Sequence, residues 1–382
     1  MAVRYRVVLV ATLMLALGFG FLHHLVPGHA RAFARLHIFL FNLVCGGALA
    51  LHLAQRRTEP SREAKLYFVL GAAYAACGAL GSYALTLALS APLLGVVESV
   101  RSRRFASTPW GLLRARTGIA DRFTHASLLC LSLGIVVADL VILNQQRWHL
   151  VTSDKLTLDV FFLGYSFPVS LATMAVLFDH LRAGGADTRW RGRAEAARST
   201  RAAGGGRRNA TPEMTFWGVN LGVMVFFVLI VLHWLLAEIA IATALFLLVS
   251  WLAVVFWRRS PPSPARAWLG SGLGFLVCTG VTGVLYLLRD TLALPGRFVL
   301  GQHAFVSLWG WNLVGLVTIA RGRRPARGAS QPWLLGWHWL TVLVLAPLGK
   351  TNPWLAAAAL PAAFVVLAVT LLSSAAREPE VA

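Results

Sequence analysis

The sequence predicts an all-α, polytopic transmembrane bundle of about twelve spans with both termini on the cytoplasmic side. Three observations carry that prediction. The 382 residues are 57% apolar and only 13% charged, with a mean hydropathy of +0.67, which excludes a water-soluble globular domain. Apolar runs of about 20 residues recur along the whole chain, each long enough to cross a hydrocarbon core of about 30 Å. Lys and Arg exceed Asp and Glu by 20 and sit between those runs, so the excess reads as membrane topology and not as a nucleic-acid surface.

Arg4 and Arg6 precede the first run, 7–27. Its polar end (His23, His24, Pro27) and the lack of a small-residue cleavage site mark a span and not a secretion signal. The second run is 35–54. The stretch 66–100 is longer than one crossing, since about 35 rises of 1.5 Å exceed 50 Å. Gly78, Gly81 and Ser82 offer a turn near its middle, and Pro92 a kink. Further runs fall at 126–145, 157–181, 214–235, 239–257, 267–288, 298–320, 332–348 and 353–374. If 66–100 crosses twice, 28 of the 35 cations share a side with both termini and 7 lie opposite, as the positive-inside rule requires. The expected product is a multi-pass protein of the cytoplasmic (inner) membrane.

The chain divides into membrane halves 1–182 and 213–382, about six spans each, joined by the Arg-, Gly- and Ala-rich stretch 183–212. That stretch reads as a solvated cytoplasmic loop meeting anionic lipid headgroups, and its Gly204-Gly205-Gly206-Arg207-Arg208 run as a flexible basic linker. The halves show no residue-by-residue repeat. Cys45, Cys77, Cys130 and Cys278 all fall inside apolar runs with no CxxC pair, which argues against a disulfide scaffold or a zinc site. No Walker loop, GxSxG elbow or HExxH motif occurs, and no catalytic set is legible. Of the acids near or within spans, Glu98, Asp139, Asp159, Asp179 and Glu238, only Asp139 lies well inside one, too few for a continuous proton path.

The 11 histidines are unevenly placed. His23, His24, His29, His37, His233 and His303 lie near the outer boundary, whereas His52, His125, His180 and His338 lie toward the inner side on four different helices. A histidine in lipid costs free energy unless its ring nitrogens find partners, so a cluster at one depth suggests metal or haem ligation on facing helices. Adjacent His23 and His24 would point about 100° apart, so one at most is expected to face a shared interior site. The surroundings of His37 and His303 are the most suggestive. In Leu36-His37-Ile38-Phe39-Leu40-Phe41-Asn42 followed by Cys45-Gly46-Gly47, and in Gly301-Gln302-His303-Ala304-Phe305 followed by Trp309-Gly310-Trp311-Asn312, a histidine precedes glycines and an asparagine on one span. Such glycines admit a planar macrocycle or a neighbouring helix.

With about twelve spans and candidate ligands on the second, seventh and tenth, the chain resembles the catalytic subunit of the haem–copper oxidase superfamily. Within that group it is nearer to the haem-binding membrane proteins of nitric-oxide metabolism. The resemblance implies His37 and His303 as axial ligands of one haem, and His233, with His24 or His23, at a second metal such as copper. It also implies a redox or gas-handling role toward nitric oxide or oxygen, with an electron-donor protein or quinol as partner. Arg31, Arg35, Arg289 and Arg297 would pair outward-facing haem propionates, since guanidinium binds carboxylate through two parallel hydrogen bonds. The chain departs from the family pattern in three places: Gly301 stands where a second tenth-span histidine is expected, the sixth span lacks the copper-holding His and Tyr, and His233-Trp234 replaces a His-His pair. Two other readings stay open: a transporter built from two six-helix halves, and an assembly protein with no cofactor.

Overall fold

The computed structural model describes residues 1–105, 109–113, 118–150, 165–184, 210–322 and 328–374. Among them, twelve helices run in order: α1 Val3–His24, α2 Pro27–Gln55, α3 Arg62–Ala79, α4 Tyr83–Phe105, α5 Ile119–Trp148, α6 Phe167–Gly184, α7 Thr211–Leu232, α8 Leu235–Arg259, α9 Pro264–Leu287, α10 Gly296–Arg321, α11 Pro332–Gly349 and α12 Pro353–Leu372. All except α3 and α6 are long and apolar enough to cross a membrane. The protein is an integral, multi-pass membrane protein. Most of the expected linker 183–212, the first part of the 157–181 run and Asp159 lie outside the described residues.

The stretch 66–100 folds as two helices, α3 and the body of α4. The break falls where glycine permits it: Gly81 takes φ +75°, and Ser82 N–H donates back to the Cys77 carbonyl at 2.9 Å, a Schellman closure that needs a left-handed residue. Ser61 starts α3 by accepting from Ala64 N–H.

Cross-helix bonds show which helix ends share a side. At one end Arg6 donates to the Leu371 carbonyl at 2.8 Å, Arg321 to the Ser373 carbonyl at 2.7 Å, Arg56 pairs with Asp121 at 2.6 Å and His180 meets Ser260 at 2.9 Å. This is the basic end, and it holds both ends of the described chain. At the opposite end His23, His24 and Lys350 bond across the α1 and α11–α12 turns.

Burial sorts the helices. The apolar stretches of α2 and α10 are 78% buried, against 22% in α7 and 17% in α8, so α2 and α10 are central and α7 and α8 present their sides to lipid. α10 packs on α6 and α2, bringing helices of both expected halves into one core. Between α4 and α5, Ser132 donates to Glu98, which pairs with Arg101, and Arg101 reaches His125 at 3.1 Å. That chain partners the buried Arg101 and the half-buried Glu98 within the helix pair.

Candidate functional site: a small cavity between two distorted helices

The two central helices both leave α geometry in their buried middles. Phe39–Gly46 of α2 and Val306–Asn312 of α10 wind as π-helix, a rare form that reorients side chains and concentrates at functional sites. Each carries an asparagine. Among the described residues, fully buried Asn42 has no hydrogen-bond partner for either its amide oxygen or its nitrogen; Asn312, also fully buried, donates to Ser166 Oγ at 3.0 Å but leaves its oxygen unpartnered.

His37 stands about three turns into α2, just before its π segment. Gly20 of α1 makes room for the ring, since a Cβ there would lie 2.9 Å from His37 Nδ1. His37 Nδ1 is 2.7 Å from the Ala16 carbonyl, which can only accept, so this nitrogen carries the proton and Nε2 keeps a lone pair. Trp309 directs its indole N–H toward that lone pair at a long 3.5 Å. A cavity of about 110 Å³ opens here, bounded by His37, Asn42, Ser166, Phe305, Leu308 and Lys350.

Lys350 comes from the turn between α11 and α12. Its Nζ donates to the Gly20 carbonyl at 2.7 Å and lies 6.0 and 5.8 Å from the ring centres of Phe21 and Phe305. Burial pulls its pKa down from 10.5 to about 8. The unfolded chain therefore binds this proton more tightly, and stability is expected to be flat below about pH 8 and to rise from there toward pH 10.5. Over the same rise the cavity loses its positive charge. Thermal melting of wild type and Lys350→Met between pH 7 and 10 checks this: the variant should lose the rise, and an unchanged profile would remove Lys350 as its source.

The structure separates the residues expected to hold one haem. His37 meets Phe305 and Trp309, which lie four apart on one face of α10. His303 is two residues from Phe305, about 200° around the helix, and faces α9, where Nδ1 lies 3.1 Å from the Thr279 carbonyl and 3.2 Å from Thr282 Oγ1. The 110 Å³ beside His37 is also far below the roughly 300–1,000 Å³ of cofactor pockets. The residues present do not fit a haem held between His37 and His303. The glycines serve helix packing instead: a Cβ at Gly46 would strike Val169, at Gly47 the Tyr67 ring and at Gly310 the Phe275 ring.

The other expected ligands also disperse. His233 occupies an exposed turn with φ +58° between α7 and α8. His23 and His24 do face one place, contrary to the 100° expectation: in the 3-10 turn after Phe21 their ring centres lie 4.2 Å apart, and their Nε2 atoms meet the carbonyls of Lys350 at 3.0 Å and Gly349 at 2.7 Å. Arg31 and Arg297 are exposed and Arg35 half-buried; Arg289 pairs with Asp290 at 3.3 Å and lies over the Tyr286 ring. Among the described residues no group of three or more His, Cys, Asp or Glu is placed to hold a metal ion. Sequence reasoning missed Ser166, Trp309 and Lys350 as members of the site.

At the basic end α2, α6 and α10 also wall a larger cavity of about 650 Å³. Between the two cavities these helices close tightly: Gly46 seats Val169, Gly315 seats Thr173, and Trp311 donates to Ser170 Oγ at 2.7 Å. A comparison of the chain with protein-family models, curated proteins and solved structures finds no match in any of the three.

Proposed function

We propose that the protein is a carrier that moves a small polar solute across the membrane along α2, α6 and α10, with the basic end facing the cytoplasm. The observation that carries this reading is the unpartnered amide of Asn42 on a π segment beside a cavity. A buried amide without partners costs about 1–3 kcal/mol, a cost that a bound polar solute would offset. Irregular backbone at depth, where it lines a cavity, is also how transporters expose binding groups within the bilayer. The positive-inside rule supports the orientation, and the arginines of that end suit anionic lipid headgroups.

Asn42→Leu tests the reading. It should raise the melting temperature by relieving the unpartnered amide. It should also abolish the transient currents that a panel of small carboxylates and phosphates evokes from wild-type proteoliposomes on a solid-supported membrane. A destabilised variant with currents intact would make Asn42 a structural residue and defeat the proposal.

One observation favours a second reading, a resident haem or copper with a gas-handling role. A histidine that anchors Nδ1–H on a backbone carbonyl and keeps Nε2 for another partner is arranged as metal-ligating histidines usually are, and His37 is so arranged. An optical spectrum with iron and copper assays on purified protein decides: one metal per chain, lost in His37→Ala, would put this reading first.

A further inference from the structure

We propose that the cavity at the basic end is a binding site for an amphipathic organic anion, a phosphate or carboxylate on an apolar body. Four arginines line it, Arg56, Arg57, Arg182 and Arg321, against two acids, Asp121 and Asp179. Arg56 pairs with Asp121 at 2.6 Å and Arg182 with Asp179 at 2.9 Å. Asp121 is shared further with Arg104 at 3.4 Å, so it does not fully neutralise either cation. Arg57 is exposed and has no ion pair among the described residues. Arg321 is 9% exposed and spends its guanidinium on the carbonyls of Leu371, Ser373 and Ser374, which satisfy its hydrogen bonds without cancelling its charge. Two positive charges are left over in one concavity, and low-dielectric walls strengthen their field.

The walls supply the rest of the specificity. Val176 of α6, Trp268 and Leu269 of α9 and Val317 of α10 give the cavity an apolar lining below the arginines. His52 of α2 is 6% exposed, lines the cavity, and its Nδ1 has no hydrogen-bond partner among the described residues. At about 650 Å³ the space lies within the range of pockets that bury organic ligands, and it exceeds what inorganic phosphate alone would fill. The anionic head would sit at Arg57 and Arg321, with the apolar body against Trp268.

This assignment gives the basic-end cavity a ligand class of its own and rests on the carrier reading only for passage across the membrane, not for binding. Isothermal titration of the full chain in phosphatidylcholine nanodiscs, corrected with empty discs, tests it with octyl phosphate, octanol and inorganic phosphate. Saturable binding of octyl phosphate is expected. Octanol and inorganic phosphate should bind at least about tenfold more weakly, and affinity should fall with added salt. Arg57→Gln, on an exposed side chain that no packing depends on, should weaken octyl phosphate about tenfold. His52→Gln provides a second variant, expected to weaken it as well. Discs containing phosphatidic acid distinguish the source: competition with octyl phosphate assigns the site to a lipid headgroup, and no competition to a soluble anion, both within the class. Equal binding of inorganic phosphate, no binding of octyl phosphate, or affinity unchanged in both variants would overturn the proposal. Binding without proteoliposome currents would keep this site and remove the carrier.

Discussion

Removing the carboxylate of Glu213 is expected to destabilise the protein more than removing the arginine it pairs with. Arg122, in the first turn of α5, has a side chain only 2% exposed; it donates to Glu213 at 2.6 Å and lies over the rings of Phe216 at 4.2 Å and Trp217 at 5.5 Å. Its Nε has no partner among the described residues. Glu213 is 41% exposed, so water can solvate it once Arg122 is gone. The converse does not hold, because Glu213→Ala leaves a guanidinium in an enclosed site against the Phe216 and Trp217 rings. Breaking a buried pair from the acid side costs about 3 kcal/mol, at the low end because water reaches the acid. Arg122→Met keeps an unbranched apolar chain between the rings and should cost about 1 kcal/mol, mostly the lost cation–π contacts. In Arg122→Met/Glu213→Ala the penalty should fall back to near that of Arg122→Met alone, the non-additivity expected of a coupled pair. Equilibrium unfolding in mixed micelles of lipid and dodecyl sulfate reads all three. Should Arg122→Met prove the more damaging single change, the arginine acts through packing, and the charge argument fails.

Ten of the expected spans were legible because lipid allows few backbone solutions and writes them as long apolar runs. The division of 66–100 was legible through Gly81, and the pairing of helix ends through the arginines. The candidate site was legible only in part. His37 and Asn42 could be singled out as polar groups in an apolar run, and both border the cavity. His303 could not be assigned to it by depth alone, because its angular position relative to Phe305 sends it to α9, and depth carries no azimuth. Lys350 joins the site from a turn distant in sequence, close only because α1 and the α11–α12 turn meet. The π segments have no sequence signal that periodicity would detect, since one extra residue in a buried, all-apolar helix leaves no polar face out of step. His52 and His180 read as separate inner histidines, yet both line the basic-end cavity, because α2 and α6 converge on α10 there.

The seal between the two cavities depends on glycine, and Gly315→Ala is expected to break it. A Cβ at Gly315 would overlap the Thr173 side chain of α6. Thr173 has little freedom to yield: it is fully buried, and its hydroxyl donates to the Val169 carbonyl one turn back at 2.9 Å. Val169 is itself seated against Gly46 of α2, so a displacement of α6 from α10 is transmitted to α2. Overpacking of this kind costs about 1–3 kcal/mol where neighbours relax, and the chained contacts place this site at about 3 kcal/mol. The compensating change is specific. Thr173→Gly removes both the hydroxyl and the Cβ that Gly315→Ala would meet, so the double variant should recover all but about 1 kcal/mol, the cost of a helix glycine. Thr173→Ser should not rescue, because it keeps the Cβ and hydroxyl in the way. Thermal melting and the yield of monodisperse protein in detergent measure the series. A Gly315→Ala chain as stable as wild type would mean that α6 and α10 are free to slide apart, and with it would go the tight closure that holds the two cavities separate.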